Sequence, residues 1–164
     1  MKDDYCSTCG AFLKGQTKYP RTCPRCGAMI YQNPLPVVVA LVPVGKGLVV
    51  VRRNNEPKKG QWCLPGGFMS GTETWRQGCA RELFEETSLT VEPASISLFD
   101  LASSSNKNHL LVFGVTHVLP SLPDNLTHDE EVSEISVIYE GFQELAFPSH
   151  TEMARKFFNG WRLP

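Results

Sequence analysis

The sequence predicts an α/β fold, a mixed sheet sandwiched by helices, preceded by a small metal-binding module. Three observations lead there. β-branched runs such as "VVVALVPV" and "GLVVVRR" alternate with two stretches of helical period, and no internal repeat is visible. The first 26 residues carry two C-x2-C pairs in a segment almost without apolar residues. Between the two parts, "YQNPLP" (Tyr31 to Pro36) restricts the backbone to extended or turn conformations. The boundary is therefore expected near residue 33, giving a module over 1–33 and a larger domain over 34–164.

The 164 residues hold 16 Lys plus Arg against 17 Asp plus Glu, a net charge of −1. That balance argues against partners held by bulk electrostatics, such as non-specific DNA or an acidic membrane, and leaves room for a local basic pocket. No window approaches the roughly 18 apolar residues of a membrane span. "MKDDYCSTCG" has no apolar core of a signal peptide, so a reducing cytoplasm is the expected location.

In the module, Cys6-x2-Cys9 and Cys23-x2-Cys26 are each followed by glycine and are separated by 13 residues. Tetrahedral zinc needs four thiolates at about 2.3 Å, and a C-x2-C turn aims two of them at one point. Disulfides are the rival reading, disfavoured in a reducing compartment. Zn²⁺ held by Cys6, Cys9, Cys23 and Cys26 is thus expected to supply much of the folding free energy of this zinc ribbon. Lys14, Lys18, Arg21 and Arg25 read as a solvated face. Cys63 and Cys79 stand alone in apolar surroundings and read as buried small hydrophobes.

In the domain, Val37–Val44 and Gly47–Arg53 read as a hairpin about Gly45-Lys46-Gly47. "CLPGGF" reads as a short strand ending in a turn. A helix capped by Thr72 is expected from about Glu73 to Thr87. "SISLFDL", "HLLVFGVTHVL" and "ISVIY" are further strands, and "SHTEMARKFFNGW" is a closing helix capped by Ser149 or Thr151. In the first helix, Trp75, Cys79 and Leu83, with Ala80 and Phe84 beside them, form the core stripe.

That helix also carries Glu82, Glu85 and Glu86 on another face. Like charges at i,i+4 cost an isolated helix about 0.2–0.5 kcal/mol per pair, and a solvated acidic face is the plain reading. Hard divalent cations reverse the repulsion, because they take oxygen ligands where carboxylates converge. Gly66-Gly67 lies just before the helix and permits close backbone approach, and Arg81 is a natural partner for Glu73.

Taken whole, Gly67-x5-Glu73-x7-Arg81-Glu82-Leu83-x-Glu85-Glu86-x-Ser88-Leu89 resembles the Nudix box, G-x5-E-x7-R-E-U-x-E-E-x-G-U. Every specified position matches except Ser88, where the family has glycine. Glycine there serves a left-handed helix C-cap, so serine is expected to cost about 1 kcal/mol without touching the chemistry. The ribbon-plus-box layout is similar to the NADH pyrophosphatase branch and to ribbon-bearing hydrolases of FAD and ADP-ribose.

The resemblance implies a Nudix α/β/α sandwich and cleavage of a nucleoside diphosphate linked to a second group. It implies Mg²⁺ or Mn²⁺ held by Glu82, Glu85, Glu86 and the carbonyl of Gly67. A further glutamate from "EVSEISVI" would join them, Glu131 rather than its neighbours Glu130 and Glu134. Glu85 or Glu86 is the expected base, with Arg81 and Glu73 completing the catalytic set. The branch's Ser-Gln-Pro-Trp-Pro-Phe-Pro stretch is absent, which moves the expected substrate from NADH toward FAD or ADP-ribose. For the substrate, Arg52, Arg53, Lys58 and Lys59 are candidate phosphate contacts. Trp62 and Phe147 are candidate platforms for adenine; the plainer reading makes the cations surface charge and the aromatics core residues. Rival functions are removal of an NAD-type RNA 5′ cap and a nucleotide-sensing module without catalysis. A homodimer is a further expectation.

Metal analysis of the purified chain should give about one zinc per molecule. The double variant Cys23→Ser plus Cys26→Ser should lose it; zinc retained by that variant would contradict the ligand set.

Overall fold

The computed structural model describes residues 4–13, 15 and 18–160. Lys14 and Trp161, named above, lie outside them. The chain forms two compact units, Met1–Pro34 and Leu35–Pro164.

In the first unit, β1 (Arg21–Thr22) and β2 (Met29–Ile30) pair antiparallel. Its small core holds Cys6, Leu13 and Cys23, with Ala11, Ala28 and Ile30 packed against them. Each cysteine turn closes on the glycine that follows it. Gly10 N–H donates to Cys6 O and Gly27 N–H to Cys23 O, both at 2.9 Å.

The second unit contains β3 (Leu35–Leu41), β4 (Pro43–Val44), β5 (Gly47–Arg53), β6 (Trp62–Cys63) and β7 (Gly66–Phe68). Then come α1 (Trp75–Thr87), a 3-10 turn at Pro93–Ser95, β8 (Ser97–Ser103), β9 (His109–Val115), β10 (Val132–Ile138) and α2 (Pro148–Phe158). They build two sheets rather than one. The mixed sheet has the order β7-β3-β9-β8, with β3 parallel to β9. The other is antiparallel, β10-β5-β4, with β6 also on β5.

β3 explains the layering. Its run "VVVAL" is apolar at every position because both of its faces are covered. Val38 and Ala40 join a core cluster with Cys79 and Leu83 of α1. Val39 and Leu41 join another with Phe113 of β9 and Met153 and Ala154 of α2. The α/β/α sandwich is the consequence.

The structure corrects several local expectations. Only the tip of the first hairpin exists, between β4 and β5. β3 pairs instead with β7 and β9, and Val42 lies between the two strands. "CLPGGF" is divided between β6 and β7, which lie in different sheets, so Gly66 and Gly67 belong to a strand. The α1 cap is Thr74, whose Oγ1 accepts from Gln77 N–H while Gln77 Oε1 accepts from Thr74 N–H. Thr72 lies instead against Ser70, their hydroxyl oxygens 3.4 Å apart. In α1, Cys79 and Leu83 are buried as expected, but Phe84 is exposed. Pro148 opens α2 and Phe147 occupies its cap position without a side-chain bond. Thr151 hydroxyl accepts from Leu145 N–H at 3.0 Å, inside the first turn rather than ahead of it.

The capping box carries a quantitative consequence. Thr74→Ala should lower unfolding free energy by about 1 kcal/mol, and Thr72→Ala should stay within about 0.5 kcal/mol of wild type. Urea denaturation of both variants checks this; equal effects would contradict the assignment of the cap.

Candidate functional site

The candidate site is built around α1 and β7. Arg81 projects its guanidinium among the carboxylates that the helix crowds together. Nε and Nη2 donate to the two oxygens of Glu73 at 3.0 and 2.8 Å. Nη1 donates to Glu82 and Glu85, both at 2.8 Å, and Nη2 also reaches the carbonyl of Phe68 in β7 at 3.1 Å. These five bonds match the five N–H donors of a guanidinium. The Arg81 bond holds Glu73 below the usual carboxylate range and pushes Arg81 itself up.

Glu86 is treated differently. It is 7% exposed, and its Oε2 accepts from Gly66 N–H at 2.8 Å. Burial raises its carboxyl to about 8 against that N–H, and the charges of Glu82, Asp129 and Glu131 add to the rise. Burial also raises Glu82, against the pull of Arg81. Close approach of β7 to the helix requires both glycines. A Cβ on Gly67 would sit 2.4 Å from the Glu82 carboxylate, and one on Gly66 would sit 2.2 Å from Val38 O.

The segment between β9 and β10 brings in the third group of acids. Glu131 accepts from Asn55 Nδ2 at 2.7 Å, and its charge acts on both Glu82 and Glu86. Glu134 is paired with Arg52 at 3.2 Å, and Glu130 offers its backbone carbonyl to Asn54. Sequence reading missed Asp129, which acts on Glu86 and accepts from Glu131 N–H at 2.9 Å. It also missed Asn55. Neither has a spacing signal, because both arrive through loops.

Hard oxygen donors under mutual repulsion suit a small divalent cation. The carboxylates are neighbours rather than a preformed cage. Among the described residues only the cysteines bring three or more ligand atoms within 4.8 Å of one another. Arg81 stands between Glu82 and Glu85.

The cysteine sulfurs fit their group well. Cys6 and Cys26 sulfurs lie 3.7 Å apart, as do those of Cys9 and Cys23. Sulfurs around a tetrahedral ion with 2.3 Å bonds are about 3.8 Å apart. The N–H groups of Cys9 and Thr8 hold the Cys6 thiol below its ordinary range, and Cys26 N–H does the same for Cys23.

Of the substrate candidates, Phe147 lines a cavity of about 520 Å³ together with Lys58, Gln61, Pro148, Thr151 and Arg155. Arg53 lies over its ring at 5.3 Å, and His150, buried and accepting from Leu64 N–H at 3.2 Å, abuts it. Phe147 also packs against the cluster containing Cys63, whose thiol is pushed up to about 12 by burial and by the charge of Glu86. Trp62 packs instead against the cluster holding Leu48 and Val50, with Arg52 over its ring at 5.7 Å. Arg52 Nε is bonded to Gly60 O at 2.9 Å.

The NUDIX domain family matches residues 33–159, and the chain belongs to it. An ADP-ribose pyrophosphatase from Methanocaldococcus jannaschii is 33% identical over 79 residues, 48% of this chain and 46% of that protein. The NAD-capped RNA hydrolase NudC from Edwardsiella ictaluri is 29% identical over 89 residues, 54% of this chain and 34% of that protein. The matches thus span less than half the length of these curated relatives. A solved NUDIX hydrolase from Nitrosomonas europaea superimposes with a TM-score of 0.78 at 27% identity, covering 95% of this chain and 90% of that one.

Glu86 gives the site a pH signature. Its folded-state value lies above the ordinary 4.5, so the folded protein holds a proton that the unfolded chain releases. Stability is therefore lost as pH rises from about 4.5 to about 8. Glu86→Gln keeps an acceptor for Gly66 N–H and removes the buried charge. In buffer without Mg²⁺ or Mn²⁺, with zinc left in place, it should match wild type near pH 4. By pH 8 it should exceed wild type by an amount on the order of a few kcal/mol. Melting curves across that range test this; a constant difference would contradict it.

Proposed function

We propose that this chain hydrolyses the pyrophosphate bond of a nucleoside diphosphate linked to a second group, with an adenine dinucleotide or ADP-sugar as substrate. FAD and ADP-ribose are favoured over NADH. The observation that carries this reading is the acidic cluster of Glu82, held by Arg81, Glu86, held by Gly66 N–H, and Glu131, held by Asn55. The names of the similar proteins point the same way.

The box resemblance and the geometry together support the following roles. Glu82, Glu86 and Glu131, with the carbonyl of Gly67 and with Glu85, would hold Mg²⁺ or Mn²⁺. Such a cation supplies charge neutralisation at the phosphate oxygens and acidifies the attacking water. Glu85 or Glu86 takes the proton from that water. Arg81 and Glu73 fix the helix against β7. Phe147 stacks on the base, a contact worth about 1–3 kcal/mol. Lys58 lines the same cavity as Phe147 and is a candidate phosphate contact beside Arg52, which is paired with Glu134; Arg155, also in the lining, is paired with Glu144. Trp62 is a secondary platform. Zn²⁺ on Cys6, Cys9, Cys23 and Cys26 is structural.

A second reading, removal of an NAD-type RNA cap, is supported by the similarity to NudC together with the ribbon. The intact run Arg81-Glu82-Leu83-x-Glu85-Glu86 counts against a purely sensing module. Among the described residues no helix is long and apolar enough to cross a membrane. A cytoplasmic homodimer belongs to the same proposal, and light scattering would show it as twice the chain mass.

Glu82→Gln and Glu86→Gln should each lower turnover by about a hundredfold or more with folding kept. Glu131→Gln should lower it more than Glu130→Gln or Glu134→Gln. The assay is a panel of FAD, ADP-ribose, NADH, NAD-capped RNA, 8-oxo-dGTP and dATP with Mg²⁺ or Mn²⁺. A triphosphate preferred by about tenfold in kcat/KM would overturn the substrate reading.

A further inference from the structure

Ser88 is the one departure of this chain from the box pattern, and it sits at the C-cap of α1 with φ +55° and ψ 9°. That conformation favours glycine, so serine is strained there. The side chain has an occupation that glycine lacks. Its hydroxyl donates to Thr87 O at 2.7 Å, which turns its lone pairs outward, and it accepts from Thr127 N–H at 2.9 Å.

Thr127 belongs to the segment 116–131 between β9 and β10, the segment that carries Asp129 and Glu131. One end is fixed by Leu119, whose N–H donates to Pro43 O at 2.8 Å. The other end is fixed by Asn54 and Asn55, which donate to Glu130 and Glu131. Across residues 120–128, the bond to Ser88 is the single hydrogen bond to another part of the chain among the described residues. Leu122 and Leu126 pack against the core cluster that holds Leu89 and Val91. Such apolar contacts are non-directional and do not set the segment's register, whereas a hydrogen bond is directional.

We propose that Ser88 is a positioning residue: its hydroxyl latches the segment 116–131 onto the end of α1 and, together with the bonds from Asn54 and Asn55, sets how Asp129 and Glu131 are presented to Glu82 and Glu86. The inference rests on the reading of Glu131 as a cation ligand. The strain accepted at the helix end is exchanged for a fixed third side of the site. The same helix terminus then carries the glutamates at one turn and the tether of their partners at the next.

The test separates stability from positioning, because the two change in opposite directions. Ser88→Gly relieves the backbone and removes the latch. Its melting temperature should equal or exceed that of wild type. Its Thr127 amide should exchange with solvent on the order of fivefold faster by NMR, and Mn²⁺ binding by calorimetry on the zinc-loaded chain should weaken by about the same factor. Ser88→Asn, tolerated at positive φ and offering an acceptor, should restore binding at least in part. Glu131→Gln is measured alongside. If Glu131→Gln weakens Mn²⁺ binding and Ser88→Gly does not, the latch is overturned and the reading of Glu131 stands. If Glu131→Gln leaves Mn²⁺ binding unchanged, the reading of Glu131 fails and the proposal falls with it. An unchanged Thr127 exchange rate in Ser88→Gly overturns the latch directly.

Discussion

The guanidinium of Arg81 is the contact on which the acidic helix depends. Three carboxylates, Glu73, Glu82 and Glu85, meet one cation, and a fourth acceptor, Phe68 O, comes from β7. The arrangement joins the segment before α1, the helix itself and the strand beside it. Lysine could not replace it, since its three donors on a flexible stem lack the planar fork that grips Glu73 through two parallel bonds. With Arg81 in place, like charges that would weaken an isolated helix become tolerable in the folded chain. Glu86 lies outside this network and is left buried, with a single backbone N–H against the neighbouring negative charges. The helix thus holds two acids bonded to a cation, Glu82 and Glu85, and one, Glu86, that is bonded only to a backbone N–H.

That contrast is set by how closely β7 approaches α1. Gly66 and Gly67 let the strand backbone come against Glu86 and Glu82, and side chains at either position would collide. The register of β7 on β3, with Val38 opposite Gly67 and Val39 opposite Gly66, fixes that approach. β3 is in turn held between two apolar clusters, one under each helix. The electrostatics of the site therefore rest on the packing of a strand whose two faces are both buried. A loosened β3 would change the environment of Glu86 without touching a single charged residue.

Much of the site was legible because its spacing is local. Two C-x2-C turns need only short-range geometry to bring four sulfurs together, and the 3.7 Å separations reflect that. Arg81 and Glu73 are eight residues apart, one on α1 and the other in the turn just before it, and they meet. Other features escaped. Thr72 and Thr74 are both plausible caps, and the choice turned on Gln77, whose side chain closes the box. Trp62 and Phe147 looked alike as aromatic platforms; Phe147 lines the cavity beside Lys58 and Arg155, while Trp62, half-buried, packs on the cluster of Leu48 and Val50. Ser88 read as a cost at a helix end, and its bond to Thr127 spans 39 residues.

The sequence by itself determined the α/β class, the division into a small cysteine-bearing unit and a larger domain, the box helix with its glutamates, and the clustering of the four sulfurs. Each is written in periodicities or spacings shorter than about 25 residues, where backbone geometry alone relates one side chain to another. The tertiary structure decided that Val37 to Val44 is shared between two sheets, that the charges of Glu131 and Asp129 act on Glu86 while Glu134 pairs with Arg52, and that Phe147 lines the cavity. Those outcomes depend on pairing and burial between residues far apart in the chain. The free-energy differences that select among such pairings arise from the packed whole, and no local pattern carries them.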